Sequence, residues 1–146
     1  MDDPNPLIRA LSLRTCSYIR VAEFVRATVQ PCKQLLKDTD PYVRKTACMT
    51  VPKLYDHDKK LIEKSDLIDR LNNMLRDDNP VVVSQALAAL MDIWESSETI
   101  KLTIDHASAS KIVQILPDCP EYVRERFGLN CANNNAGGAK LTYWKR

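Results

Sequence analysis

Asp38-Thr39-Asp40-Pro41-Tyr42-Val43-Arg44-Lys45-Thr46-Ala47-Cys48 reads as a stop, a cap and a helix, in that order. Asp38 closes what precedes it and can begin a turn. Asp40 offers a side-chain oxygen to an orphan N–H of the helix that follows. Pro41 then sits at the first helical position, where its missing N–H costs nothing and its fixed φ already suits a helix. The same phrase stands 35 residues earlier as Asp3-Pro4-Asn5-Pro6 and 39 residues later as Asp77-Asp78-Asn79-Pro80. Self-similarity at that period is the mark of a solenoid of stacked helix pairs.

The runs after each proline keep one register. The seventh residue on is Leu13, Cys48 and Leu87; the tenth is Cys16, Val51 and Leu90; the thirteenth is Ile19, Leu54 and Ile93. That spacing keeps one helical face apolar. The stretches before each phrase match as well: Cys32, Leu35, Leu36; then Leu71, Met74, Leu75; then Ile112, Ile115, Leu116 before Asp118. The expected fold is all-α, a HEAT/armadillo-like α-solenoid of about three helix pairs. Helices are expected near 6–19, 21–37, 41–56, 59–76, 80–96 and 107–117, with 97–106 as a connector holding at most a short helix. Val21 and Lys59 are expected to open the first helices of their pairs. Pro31 should kink or split its helix, and Pro52 removes one backbone bond from another.

Composition divides the chain at one place. The three glycines, Gly128, Gly137 and Gly138, all fall after residue 127. Residues 1–118 carry 16 basic and 17 acidic side chains, so the slight basicity of the 146-residue chain belongs to residues 119–146. A repeat segment over 1–118 and a divergent, disordered tail over 119–146 are the expected organisation. A folded part so balanced lacks the basic stripe of a nucleic-acid binder, so none is expected. Five cysteines at 16, 32, 48, 119 and 131, an odd number with no Cys-x-x-Cys, read as reduced thiols of a cytosolic protein. No apolar run is long enough to cross a bilayer.

Chemistry is hard to find. Asp56-His57-Asp58 resembles a metal cluster only on paper, because Asp58 stands where a helix beginning at Lys59 needs its N-cap. A hydrolase built on Asp56 and His57 is the weaker use of the same residues. The body has no glycine for a phosphate loop. No catalytic residue, metal ligand or cofactor is expected. Arg9, Arg14, Arg44, Lys45 and Lys53 lie on the second helices of the units. Two roles are open to them: a solvated face, with Arg9 and Arg44 (both three past the proline) bonded to an aspartate of the next turn, or a patch for anionic lipid headgroups or an acidic partner. Val83 takes that place in the third unit. Trp94, beside Ile93, is expected to pack in the core.

The wording of the repeats resembles a known family. Asp3-Pro4-Asn5-Pro6-Leu7-Ile8-Arg9-Ala10-Leu11, Asp40-Pro41-Tyr42-Val43-Arg44-Lys45-Thr46-Ala47, Lys53-Leu54-Tyr55-Asp56 and Asn79-Pro80-Val81-Val82-Val83 with Ala88-Ala89-Leu90 look like the trunk of beta-adaptins. The likeness covers about residues 2–121. Ser17-Tyr18-Ile19 and Ser65-Asp66-Leu67-Ile68-Asp69-Arg70-Leu71 are similar to fungal members from the plasma-membrane, endocytic complex, with the Golgi and endosomal complex close behind. The resemblance implies a non-catalytic scaffold in a clathrin adaptor complex, partnered by a second large, a medium and a small subunit. It also implies a cytoplasmic place, peripheral on coated vesicles or coated pits, in vesicle-mediated protein transport. Other helical-repeat scaffolds, such as a nuclear transport receptor or a phosphatase scaffold, share the period but not these strings.

Two departures stand out. Pro52 occupies a place where the family has a helix former such as alanine. After Asp118-Cys119-Pro120-Glu121 the family continues with Trp-Gly and another helix, whereas this chain runs Tyr122-Val123-Arg124-Glu125-Arg126-Phe127. The expectation is a tail from translated intron or shifted frame; transcript sequence across the Glu121 codon checks it. A stack with open ends is also expected to self-associate when expressed alone.

Overall fold

The computed structural model describes residues 2–97, 106–119 and 121–126. It is built of helices α1 (Pro6–Cys16), α2 (Ala22–Leu35), α3 (Pro41–His57), α4 (Lys59–Lys64), α5 (Leu67–Asn73), α6 (Pro80–Ser96), α7 (His106–Ile115) and α8 (Glu121–Arg126). Short 3-10 turns follow α5 at Met74–Arg76 and α7 at Leu116–Asp118. Among the described residues there is no strand. The connector after Ser97 and the chain after Arg126 lie outside the described residues, as does Cys131.

The three phrases cap alike. Asn5, Asp40 and Asn79 hold extended backbone and accept from the N–H of Leu7, Tyr42 and Val81 at 3.0, 2.8 and 2.9 Å. Each proline is the first helical residue. One step upstream, Asp3, Asp38 and Asp77 each accept from a backbone N–H two residues on, at 2.8, 2.9 and 2.9 Å, closing the turn that reverses the chain.

These turns lay the helices in two layers. α1, α3 and α6 pack side by side in one, and α2, α5 and α7 with their 3-10 turns cover them from the other. The repeat register becomes the core: Leu13, Cys48, Leu87, Val51, Leu90, Leu54 and Ile93 are buried with Cys32, Leu36, Leu71, Leu75 and Ile112. Cys16 and Ile19 are the exceptions, half-buried and exposed, because they lie at the open end of the stack. Cys119 and Val123 are buried in the same core, and α8 packs on α6, so the packed region runs past residue 118.

Four expectations need correction. The helix expected over 59–76 is broken at Ser65, whose backbone is extended. The Ser65 hydroxyl donates to the Ile62 carbonyl (2.7 Å) and accepts from the Leu67 N–H (3.3 Å), replacing helical bonds with a local turn. The Asp66 carboxylate, which accepts from Arg70 Nε at 2.6 Å and pairs with Lys33 of α2, pins that break to the preceding pair. Of the two outcomes expected at Pro31, a kink or a split, the split does not occur: α2 runs on to Leu35. Val25, Thr28, Val29, Cys32 and Leu35 share one buried face on both sides of the proline, and that packing carries the lost bond. Val21 is the N-cap of α2 rather than its first residue. The first helix also ends earlier than expected, at Cys16. Tyr18 and Ile19 donate instead to carbonyls three residues back, at 3.1 and 3.2 Å, and Ser17 Oγ donates to the Arg14 carbonyl at 2.6 Å.

Candidate functional site

Four of the five basic residues singled out in the sequence fall into two groups. Arg9 of α1 forms a fork with Asp38, Nε and Nη2 donating to the two carboxylate oxygens at 2.8 Å each. Its Nη1 donates to the carbonyls of Asp3 and Pro4 at 2.7 and 3.2 Å. Arg44 of α3 repeats the pattern one unit on: Nε and Nη2 reach Asp77 at 2.7 and 3.0 Å, and Nη1 reaches the carbonyls of Asp38 and Thr39 at 2.9 and 3.0 Å. Each guanidinium thus ties its own cap turn to the next one, with planar bidentate geometry that lysine cannot supply. The hydrogen bond from Arg9 holds the Asp38 carboxyl below its ordinary range. Burial pushes the Asp77 carboxyl up, but Arg44 and the Asn79 N–H outweigh it and the net shift is downward. Val83, buried on α6, fills the arginine place in the third unit. There Lys111 of α7 reaches back to the Arg76 carbonyl at 3.1 Å and lies 3.9 Å from Asp78.

Arg14 and Lys53 form the second group, which the structure brings together. The Lys53 ammonium lies 4.1 Å from the centre of the Tyr18 ring, a cation–π distance. Hydrogen bonding from Lys53, then from Arg14, draws the Tyr18 phenol below its ordinary pKa. Two cations from the ends of α1 and α3 therefore meet at one exposed tyrosine. The 35 residues between Tyr18 and Lys53 hide this pairing from any local reading of the sequence; only the repeat register, in which they hold the same place, points to it. Lys45 is half-buried on α3, apart from this cluster. Lys53 also lines a shallow groove of about 370 Å³ between α3 and α6, with Met49, Ala89, Asp92 and Glu95.

Two of the residues suspected of chemistry, His57 and Asp58, make structural contacts. Asp58 caps α4 by accepting from Leu61 N at 3.0 Å. His57 Nε2 lies 3.2 Å from the Ser17 carbonyl, bridging α3 to the turn after α1. Among the described residues no group of His, Cys, Asp and Glu is placed to hold a metal. The described thiols are free, and burial pushes Cys32 up to about 12 and Cys48 further, so neither is a nucleophile at neutral pH. Trp94 is half-buried. No described helix is long and apolar enough to cross a membrane.

What the arrangement offers is surface. The residue after each proline points outward in all three units: Leu7, Tyr42 and Val81 form a row of exposed apolar side chains, one per unit, along one edge. The comparisons with known proteins bear on what meets that surface. The family model Cnd1, non-SMC mitotic condensation complex subunit 1, matches residues 7–127, from the second residue of α1 through α8.

The chain belongs to the Cnd1 family.

The curated relatives of the chain are adaptor subunits. It is 48% identical over 120 residues to the AP-2 complex subunit beta of Schizosaccharomyces pombe, covering 82% of this chain and 18% of that one. It is 42% identical over 134 residues to the AP-1 complex subunit beta-1 of Mus musculus, covering 91% and 14%. It is 43% identical over 120 residues to the AP-1 complex subunit beta of Dictyostelium discoideum, covering 82% and 13%. Its homologues are thus beta-adaptins, and it spans less than a fifth of their length. The Cnd1 match continues six residues past Glu121, where the resemblance was expected to stop.

Proposed function

We propose that this chain is a segment of the trunk of an adaptor-complex beta subunit. It acts as a scaffold without a catalytic step. It holds the second large, the medium and the small subunit, and takes part in vesicle-mediated protein transport. Its place is cytoplasmic, peripheral on coated vesicles or coated pits through the complex. The observation that carries this reading is the 48% identity to an AP-2 beta subunit over 120 residues that fold as stacked helix pairs. The edge row of Leu7, Tyr42 and Val81 is the proposed contact face, with Lys45 beside it. Arg9 and Arg44 serve that face indirectly, by fixing the spacing between units.

The Cnd1 match favours a second reading, a scaffold segment of a condensation complex. A helical period suits both. Identity at 42–48% depends on the letters themselves, and those point to adaptors.

Co-expression of the tagged chain with the medium and small adaptor subunits tests the proposal. The expected result is their recovery with the chain, and its loss in a Leu7→Ser, Tyr42→Ser, Val81→Ser variant whose circular dichroism is unchanged. Recovery of condensation-complex subunits in place of adaptor subunits would transfer the function to the second reading. Recovery of neither sinks both.

A further inference from the structure

The helices α1, α3 and α6 meet at two equivalent intervals, and one of them is filled. Between α1 and α3 the Lys53 ammonium stacks on the Tyr18 ring, and His57 Nε2 reaches the Ser17 carbonyl. Counted from the prolines, the same four places one unit on are Pro52 for Ser17, Lys53 for Tyr18, Asp92 for Lys53 and Ser96 for His57. No ring stands among them, and the Lys53 ammonium is turned to Tyr18. This second interval is the groove of about 370 Å³ between α3 and α6. Part of its wall is apolar, with Met49 43% exposed beside Pro52 and Ala89. Toward the helix ends it is acidic. Asp56 and Glu95 lie in the last turns of α3 and α6, with Asp92 three residues before Glu95. Carboxylates are disfavoured at a helix C-terminus by the macrodipole, and the last turn of α6 has no basic residue. Lys59 answers the Ser96 carbonyl at 2.6 Å, as Lys53 answers the Tyr18 ring. Gln85, half-buried, lines the groove with an amide that can both donate and accept.

From this we infer that the α3–α6 groove is a docking site for a short basic segment of a partner protein. An aromatic or long aliphatic side chain of that segment lies against Met49, Pro52 and Ala89, and an adjacent lysine or arginine meets Asp56, Asp92 and Glu95. The filled interval shows the pattern, a ring and a cation held between two helices. The open one offers an apolar wall and the opposite charge. From Gln85 to Ser96 the lining stretch of α6 is about 16 Å long, a length that about five residues of extended chain span. The Gln85 amide can then bond the backbone of the segment. Each carboxylate accepts from several donors, so contacts it already makes leave room for an ammonium. A bare metal ion is a poor occupant, since among the described residues no group of His, Cys, Asp and Glu is placed to hold one. A phosphate or an anionic headgroup would meet three negative charges. The groove is also distinct from the row of Leu7, Tyr42 and Val81, because Tyr42 and Lys53 are about 16 Å apart along α3. The inference therefore goes beyond the scaffold contact and does not rest on it.

Fluorescence anisotropy of a fluorescein-labelled Lys-Phe-Lys-Leu-Arg peptide with the full 146-residue chain tests it. The charge variant is Asp56→Asn with Glu95→Gln. Both places are exposed, and neutralising them relieves the dipole, so the melting curve should not fall. The apolar variant is Met49→Ser, also at an exposed place. The expected result is saturable binding at physiological ionic strength, roughly tenfold weaker in the charge variant and about fivefold weaker in the apolar one. Serine in place of both apolar residues of the peptide should abolish it. Equal binding by the charge variant, equal binding of the serine-substituted peptide, or no saturation below about 1 mM overturns the inference. The chain carries an aromatic and basic stretch of its own, Tyr143-Trp144-Lys145-Arg146. A full-length variant with Tyr143→Ser, Trp144→Ser, Lys145→Ser and Arg146→Ser should bind the peptide with unchanged affinity. Tighter binding by that variant would give the groove to the chain itself and overturn the assignment to a partner. No adaptor subunit is present in this assay, so its outcome is separate from that of the co-expression experiment.

Discussion

Arg9 and Arg44 illustrate how one side chain sets the relation between two units. Each guanidinium satisfies two carbonyls of its own cap turn and the carboxylate of the next. Asp38→Asn keeps the oxygen that accepts from Asp40 N but removes the charge that answers Arg9, so it isolates the ion pair. The expected cost at pH 7 is about 2 kcal/mol, in the range for a partly buried charged hydrogen bond that loses one partner. The sign of its pH dependence follows from the depressed Asp38 pKa. Unfolded, the carboxyl titrates near about 3.9. The pair contributes fully above that value and is lost as pH falls through the lower folded one. Urea melts of the wild type and the variant should therefore differ at pH 7, and converge as the pH is lowered below about 4. Asp66 behaves in the same sense over a wider window, since Lys33 and Arg70 hold it down to about 2. The arginine–aspartate pairing was legible as one of two roles, because the register puts Arg9 and Arg44 at the same place. The Lys53–Tyr18 stack was not, because it depends on how closely two helix ends approach.

The elements follow their caps more faithfully than their periodicity. Every helix that opens on Asx-Pro starts where the phrase places it, since both the side-chain acceptor and the ring are local. Asp40→Ala should lower stability by about 1 kcal/mol, measured by thermal unfolding, through loss of the bond from Tyr42 N. Asn5→Ala should cost less, because α1 lies at the open end, where fewer contacts depend on its first turn. Boundaries set by side chains against a neighbour were not legible. Ser65 and Asp66 are ordinary surface residues in a helical pattern. Lys33, arriving from α2, adds to the local bonds of Ser65 and Arg70 and ties the break between α4 and α5 to the preceding pair. Pro31 gave the opposite lesson: a strong local breaker was overruled by a buried face that continues on both sides of it.

For the whole molecule the repeat was fully legible, and the ends were not. The buried register is shared by α3 and α6, so damage to it is felt across units. Leu87→Ala should lower stability by about 3 kcal/mol, with the chain still melting in one transition. At the open end, Ile8 and Ile19 are exposed, although their sister residues Val43, Val82, Leu54 and Ile93 are buried. That bare face, with Leu11, should drive association. Sedimentation velocity is expected to show concentration-dependent oligomers that Ile8→Asp with Leu11→Asp disperses. A monodisperse wild-type monomer at high concentration would contradict this.

The interrupted series of clasps has a mechanical corollary. Two successive joints are riveted by a guanidinium fork, and the third, where Val83 stands in the arginine's place, is held by apolar packing and the longer reach of Lys111. Under tension applied through its termini in an optical trap, such a chain should yield first at the joint beyond α6, at low force, and surrender the riveted part later in a single larger extension.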